Sequence, residues 1–140
     1  MIDIPGLLKI LELFQPFKNA ILGRVYSNAQ IVRNPMSKWY LSKAEFPAHS
    51  LGIYCQGMAY SFSFNLLSKM YENLHKVQYL WMDDWYVTHA LLFQSQAIYF
   101  DLQNHYISTD TIEGYQKVVE KKEQRKKLLF GHFRPKSRFV

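Results

Sequence analysis

Asp83 and Asp84 are adjacent acids set directly after an apolar run, residues 77–82 (VQYLWM), and no other arrangement in the sequence is as well suited to chemistry. The run is short and apolar, which predicts a buried strand. In open α/β sheets ligands bind beyond the carboxyl ends of strands, so an acid at that point faces a bound molecule. A carboxylate so placed suits a general base that accepts the proton of an attacking hydroxyl group. The same pair also fits the first turn of a helix, where the dipole favours negative charge. An Asp-Asp pair alone does not separate the two readings.

Other residue types offer less. Trp39, Trp81 and Trp85 suit either a core or a cleft, and Trp81, inside the apolar run, is expected in the core. Cys55 is the one cysteine, so it forms no disulfide within the chain. It reads as a small buried hydrophobe rather than a nucleophile, because no His-Asp pairing accompanies it. His105 and His132 stand alone, and a lone His is usually not a metal ligand.

The elements that must position these residues follow from local pattern. Pro5 fits a first helical turn, where its missing N–H costs nothing. Leu7, Ile10, Leu11 and Phe14 then make one apolar stripe over Ile4–Phe14, and Pro16 ends it. Ala20–Tyr26 (AILGRVY) predicts a strand, Asn34-Pro35 a turn, and residues 37–52 a long loop or irregular strand. Ser63 is placed to cap a helix running to about Leu74, with Leu66, Leu67, Met70 and Leu74 as its apolar face. A further helix is expected over residues 86–93 and a strand over residues 97–102. Helices alternating with strands indicate an α/β layered domain.

The chain has 140 residues, 49% of them hydrophobic, which is enough for one packed domain and excludes global disorder. Its net charge of +6 is unevenly placed. Residues 115–140 hold nine Lys or Arg and two Glu, leaving eight basic and nine acidic residues for the nearly neutral body, residues 1–114. The basic excess therefore describes an appendage, expected to be helical to about Leu129 and then mobile. Phe130, Phe133 and Phe139 among Arg134, Lys136 and Arg138 make only a faint version of the interleaved aromatics of a nucleic-acid groove, and no nucleic-acid partner is expected. No stretch nears the ~20 apolar residues of a membrane span. The opening residues also lack the charge and cleavage pattern of a signal peptide.

Three stretches carry a resemblance. RNPMSKWYLSKAEFP (residues 33–47) holds Lys38-Trp39-Tyr40 ahead of Glu45-Phe46-Pro47; IYCQGMAYSFS (residues 53–63) holds Tyr54-Cys55, Gly57 and Tyr60; YLWMDDWYVTHALL (residues 79–92) holds Asp83-Asp84 and Tyr86. In order and spacing they resemble the motif series of the β-1,3-galactosyltransferase family: Arg-x-x-x-x-Lys-Trp-Tyr followed by Glu-Tyr-Pro, Tyr-Cys-Ser-Gly-x-x-Tyr, and Glu/Asp-Asp-Val-Tyr-x-x-Gly. The resemblance covers residues 2–92. It implies an α/β fold, the C-terminal half of a GT-A-like glycosyltransferase domain over residues 1–114, with residues 115–140 as a basic helical or disordered tail.

The resemblance further implies hexosyl transfer with inversion, of galactose or N-acetylhexosamine, from a UDP-sugar to a glycan acceptor. Asp84 would be the catalytic base. Asp83, Gly57, Tyr60, Lys38 and Trp39 would bind substrate, glycine by letting backbone approach closely and aromatic faces by packing on sugar C–H surfaces. Family members carry an Asp-x-Asp segment that holds Mn²⁺ against the donor diphosphate; this chain shows only a lone Asp3 where the following segment would lie, so no metal site is expected within it. The expected location is the Golgi lumen, with a membrane anchor upstream of this sequence. Two departures stand out: the family's glycine after the acids is His89, which is expected to crowd the backbone there, and its paired prolines before Tyr54 are Gly52 and Ile53. The rival readings are a non-catalytic glycan- or partner-binding member of the same fold, and a small basic module for nucleic acid or membrane.

Overall fold

The helix expected at the start runs over Ile4–Phe14 (α1), with Asp3 as its cap: the carboxylate accepts from the Gly6 N–H at 3.2 Å. The computed structural model describes residues 2–109, 111–120 and 128–133. Leu7, Ile10, Leu11 and Phe14 are half-buried, as the stripe requires. Ile10 and Phe14 pack against Ala20, Leu22 and Leu102, while Ile4, Leu8 and Leu13 on the outer face are exposed.

Ala20–Tyr26 is a strand (β1), and it is the centre of the main sheet. It pairs antiparallel with β2, Tyr54–Phe62, and parallel with β3, Ile98–Asp101, in the order β2-β1-β3. Alternation along β1 sends side chains to two cores. Ala20 and Leu22 face α1, and Ile21 faces Cys55, Leu66, Met70, Leu91 and Leu92. Ser63 caps the next helix, α2, Phe64–Asn73, accepting from the Leu66 N–H at 3.3 Å. Its buried face is narrower than the sequence suggests: Leu66 and Met70 are inside, whereas Leu67 and Leu74 are exposed. Asn73 is also buried, and its amide donates to the Leu91 and Phe93 carbonyls at 3.0 and 2.8 Å.

Residues 77–82 are not a strand, which corrects the sequence reading. Leu80 and Met82 enter a core with Leu41, Leu51, Tyr54 and Trp85, so the run is apolar because alternate residues are buried, without a ladder partner. Trp81 between them points outward and is 39% exposed, contrary to its expected place in the core. The helix expected over residues 86–93 begins earlier, as α3, Asp83–Thr88, and continues after His89 as a 3₁₀ turn, Ala90–Leu92.

A second, two-stranded sheet was not legible in the sequence. β4, Tyr106–Thr109, pairs in parallel with β5, Phe130–Phe133, and α4, Ile112–Glu120, lies between them in the chain. Leu128 and Leu129 are buried and non-helical, and the Leu129 carbonyl accepts from the Asp3 N–H at 2.9 Å. Of the helix expected to about Leu129, residues up to Glu120 are helical in α4 while Leu128 and Leu129 are not, and Phe130–Phe133, expected in a mobile end, is a packed strand. Residues 121–127 and 134–140, which hold the basic residues of the tail other than Lys117, lie outside the described residues. No helix among the described residues is long and apolar enough to cross a membrane.

Ile21 is fully buried at the junction of β1, β2 and α2. Ile21→Ala is expected to lower stability by about 2–5 kcal/mol, from lost transfer energy and the cavity left behind. Urea denaturation followed by circular dichroism checks this.

Candidate active site around Asp84

Asp84 sits in the first turn of α3, and a set of side chains from this helix ties it to the strand beside it. The Trp85 Nε1–H donates to the Leu51 carbonyl at 2.7 Å. His89 Nδ1 lies 2.6 Å from the Ile53 carbonyl, which can only accept, so Nδ1 carries the hydrogen. Thr88 Oγ1 accepts from the Cys55 N–H at 2.9 Å. Asp84 Oδ2 accepts from the Gly57 N–H at 3.1 Å. Every second backbone position from residue 51 to 57 therefore meets one side chain of residues 84–89.

The Thr88 hydroxyl, fully buried, also donates to the Asp84 carbonyl one turn earlier. It joins strand and helix at the place where the acid must be fixed. Gly57 lies in an irregular part of β2: Gly23 pairs with Tyr60 and Val25 with Cys55, so residues 56–59 face the single residue Arg24. This enlarged bulge leaves the Gly57 N–H free of the β1 ladder to bond Asp84. A Cβ at position 57 would lie 3.2 Å from Asp84 Cβ, so glycine permits the approach.

Asp84 lines a cavity of about 250 Å³ together with Tyr26, Gln30, Trp39, Tyr54 and Gln56, over an apolar floor that includes Leu41, Leu51 and Met82. That is slightly below the roughly 300–1,000 Å³ of pockets for drug-sized ligands, so it suits a single ring. The loop carrying Trp39 is held by Arg33, whose guanidinium donates to the Leu41, Phe46 and Ala48 carbonyls at 2.7, 2.7 and 2.9 Å. A larger cavity, about 610 Å³, is lined by Phe46, Trp85, His89 and Tyr99 but not by either acid. The larger one also holds titratable groups, Glu45, Lys76 and His89, but the smaller is the candidate site because Asp84, half-buried and fixed by the Gly57 N–H, lines it.

The structure brings Asp84, Gly57 and Trp39 together. Lys38 Nζ lies 4.8 Å from the Trp39 ring centre, beside the cavity rather than in its wall. Asp83 is exposed. Tyr60 packs with Ile21 and Cys55 against the other core. Burial first, then the charges of Asp83 and Asp84 and the Cys55 thiol, raise the Tyr60 pKa. Tyr54, Gln56, Tyr26, Gln30 and Thr88 are members the sequence reading missed. Tyr54 and Gln56 were findable from their alternation along β2, and Thr88 from its i+4 spacing to Asp84.

Burial raises the pKa of Asp84 above its ordinary 3.8; the hydrogen bonds from the Trp85 and Gly57 N–H groups oppose this, and the neighbouring Asp83 charge adds to it. Tyr54 is pushed up to about 12, chiefly by burial and then by Asp84 and Tyr26. Burial pushes the Cys55 thiol up to about 12 as well, so it is a protonated core group. Among the described residues, no three His, Cys, Asp or Glu side chains are grouped to hold a metal ion. The Asp3 carboxylate is engaged as the α1 cap. The described residues thus do not fit a Mn²⁺ site.

A family model for galactosyltransferases matches residues 1–103. The chain belongs to the galactosyltransferase family. It is 36% identical over 56 residues to beta-1,3-galactosyltransferase 5 of Pan troglodytes, Gorilla gorilla gorilla and Homo sapiens. The matched segment is 40% of this chain and 19%, 19% and 18% of those proteins, about a fifth of their length. Within this galactosyltransferase-family chain the two departures noted above touch one another. A Cβ on Gly52 would lie 3.2 Å from His89 Cε1, and Gly52 has φ +71°, which proline cannot adopt. His89 therefore does not crowd its backbone as expected; its ring occupies space that Gly52 leaves open.

Thr88→Val keeps the shape but leaves the buried Cys55 N–H without an acceptor. A loss of about 1–3 kcal/mol is expected. Faster hydrogen exchange at the Cys55 amide, measured alongside the denaturation midpoint, locates the damage.

Proposed function

We propose that this chain carries the acceptor side of an inverting hexosyltransferase site, with Asp84 as the general base. The observation that carries the reading is the Asp84 carboxylate, fixed by the Gly57 N–H at 3.1 Å in the wall of the 250 Å³ cavity beside Trp39. The acceptor hydroxyl oxygen forms a bond to the anomeric carbon as the bond from that carbon to the nucleotide diphosphate breaks. The diphosphate leaves with the bonding electron pair, the configuration inverts, and the hydroxyl proton passes to Asp84. The two N–H donors aim the carboxylate, and partial burial raises its basicity. Gly57 leaves the room this geometry needs; Lys38 lies beside the cavity, Asp83 is in solvent and Tyr60 packs against the other core, so a substrate role for these three rests on the resemblance.

The reading of the whole protein that goes with this rests on the resemblance and the family: a UDP-sugar donor carrying galactose or N-acetylhexosamine, Mn²⁺ on the donor diphosphate, a glycan acceptor, a GT-A-like fold and a Golgi luminal location. No step above passes through the metal.

The test offers UDP-galactose or UDP-N-acetylglucosamine with Mn²⁺ and β-linked hexoside acceptors. In Asp84→Asn, turnover is expected to fall about 10²–10⁴-fold, with a near-wild-type melting temperature. Retained turnover in that variant would sink the base assignment.

The pH dependence has a defined sign. A base must be ionised, and burial raises its pKa, so activity should fall with decreasing pH at a point above the ordinary carboxylate range. The stability linkage runs the other way. Because the folded pKa exceeds the unfolded one, this group favours the fold at low pH, and that contribution is lost as pH rises through the folded value. A pH–rate profile of kcat/KM and a pH series of denaturation midpoints read the two effects separately.

A further inference from the structure

Trp39 and Trp81 form a parallel pair: their ring planes differ by 8° and their centres lie 6.2 Å apart. They are 45% and 39% exposed. Large aromatic side chains are usually highly buried, and this offset-stacked pair leaves part of both rings in solvent.

Both are held in place. Leu80 and Met82 are buried on either side of Trp81, which fixes it outward in an extended segment. Arg33 fixes the loop of Trp39 through three backbone carbonyls. Trp39 also lines the Asp84 cavity, so the exposed pair continues outward from the place where a reacting hydroxyl would sit. The cavity holds about one ring, and whatever extends from that ring meets the two indoles. A pyranose has C–H faces that pack on an indole and hydroxyl edges that stay in water, and rigid indoles lose little entropy on binding.

Building on the acceptor-side reading above, we propose that Trp81, together with Trp39, is the platform for the second sugar of the acceptor, the ring next to the one whose hydroxyl faces Asp84. The platform makes the site favour a β-linked disaccharide end over a single hexose. Trp81 is a specificity-determining residue that touches substrate but takes no part in the proton transfer.

The test titrates the full chain with two probes: methyl β-N-acetylglucosaminide, and a disaccharide glycoside in which a second β-linked hexose follows the terminal ring. Tryptophan fluorescence and saturation-transfer NMR report binding. The wild type is expected to bind the disaccharide more tightly than the monosaccharide. Trp81→Ala should weaken disaccharide binding about tenfold while changing monosaccharide binding less than about threefold, and Trp81→Phe should restore most of the loss. Unchanged disaccharide binding in Trp81→Ala, equal losses for both probes, or no disaccharide binding by the wild type would each overturn the platform. The base assignment fails separately: it falls if Asp84→Asn keeps turnover, whatever Trp81 does.

Discussion

The buried hydroxyl of Thr88 is the joint on which the site depends. It accepts from the Cys55 N–H on β2 and donates to the Asp84 carbonyl on α3, so one side chain closes both backbones around the acid. A buried backbone N–H left unpaired costs far more than an exposed one, which is why this contact selects one position of the helix. With α3 held there, Trp85, His89 and Asp84 reach the carbonyls of residues 51 and 53 and the N–H of Gly57. The helix presents Asp84, Trp85, Thr88 and His89 on one face, and the segment that receives them enters β2 through the left-handed turn at Gly52 and leaves the ladder at the bulge around Gly57.

A short α3, Asp83–Thr88, has little stability of its own. Its position comes from what it packs against: Trp85 closes the core of Leu41, Leu51, Tyr54, Leu80 and Met82, and Phe46 meets the Trp85 ring edge-on at 5.1 Å. The acid is thus presented by a packed aromatic residue next to it in sequence, and the loop of residues 27–53 is held as part of the same core. The contact between His89 and the Gly52–Ile53 pair belongs to this design. A residue larger than glycine at position 89 is accommodated where residue 52 has no side chain and a left-handed backbone.

The two readings open for Asp83 and Asp84 turn out to be compatible. The pair does begin a helix, where its charge is favoured. Asp84 nevertheless turns its carboxylate toward β2 and the cavity, while Asp83 stays in solvent. Desolvation raises the proton affinity of Asp84.

The sequence by itself determined what is encoded locally. The Pro5 start and apolar stripe of Ile4–Phe14, the β-branched run Ala20–Tyr26 and the Ser63 cap each carry their signal within a few residues, and all three form as read. The ordered motifs likewise identified the family, since order and spacing survive without tertiary contacts. What only the tertiary structure decided depends on partners distant in the chain. Residues 77–82 had the composition of a strand but no neighbour to pair with, so they stay irregular and Trp81 turns outward. Phe130–Phe133 became a strand because β4 offered an edge. The Asp84 carboxylate found the Gly57 N–H 27 residues away because a bulge in β2 left that donor free of the ladder. Composition records whether a residue prefers to be buried or capped, but which donor, edge or face is free to receive it is settled only when the chain has packed.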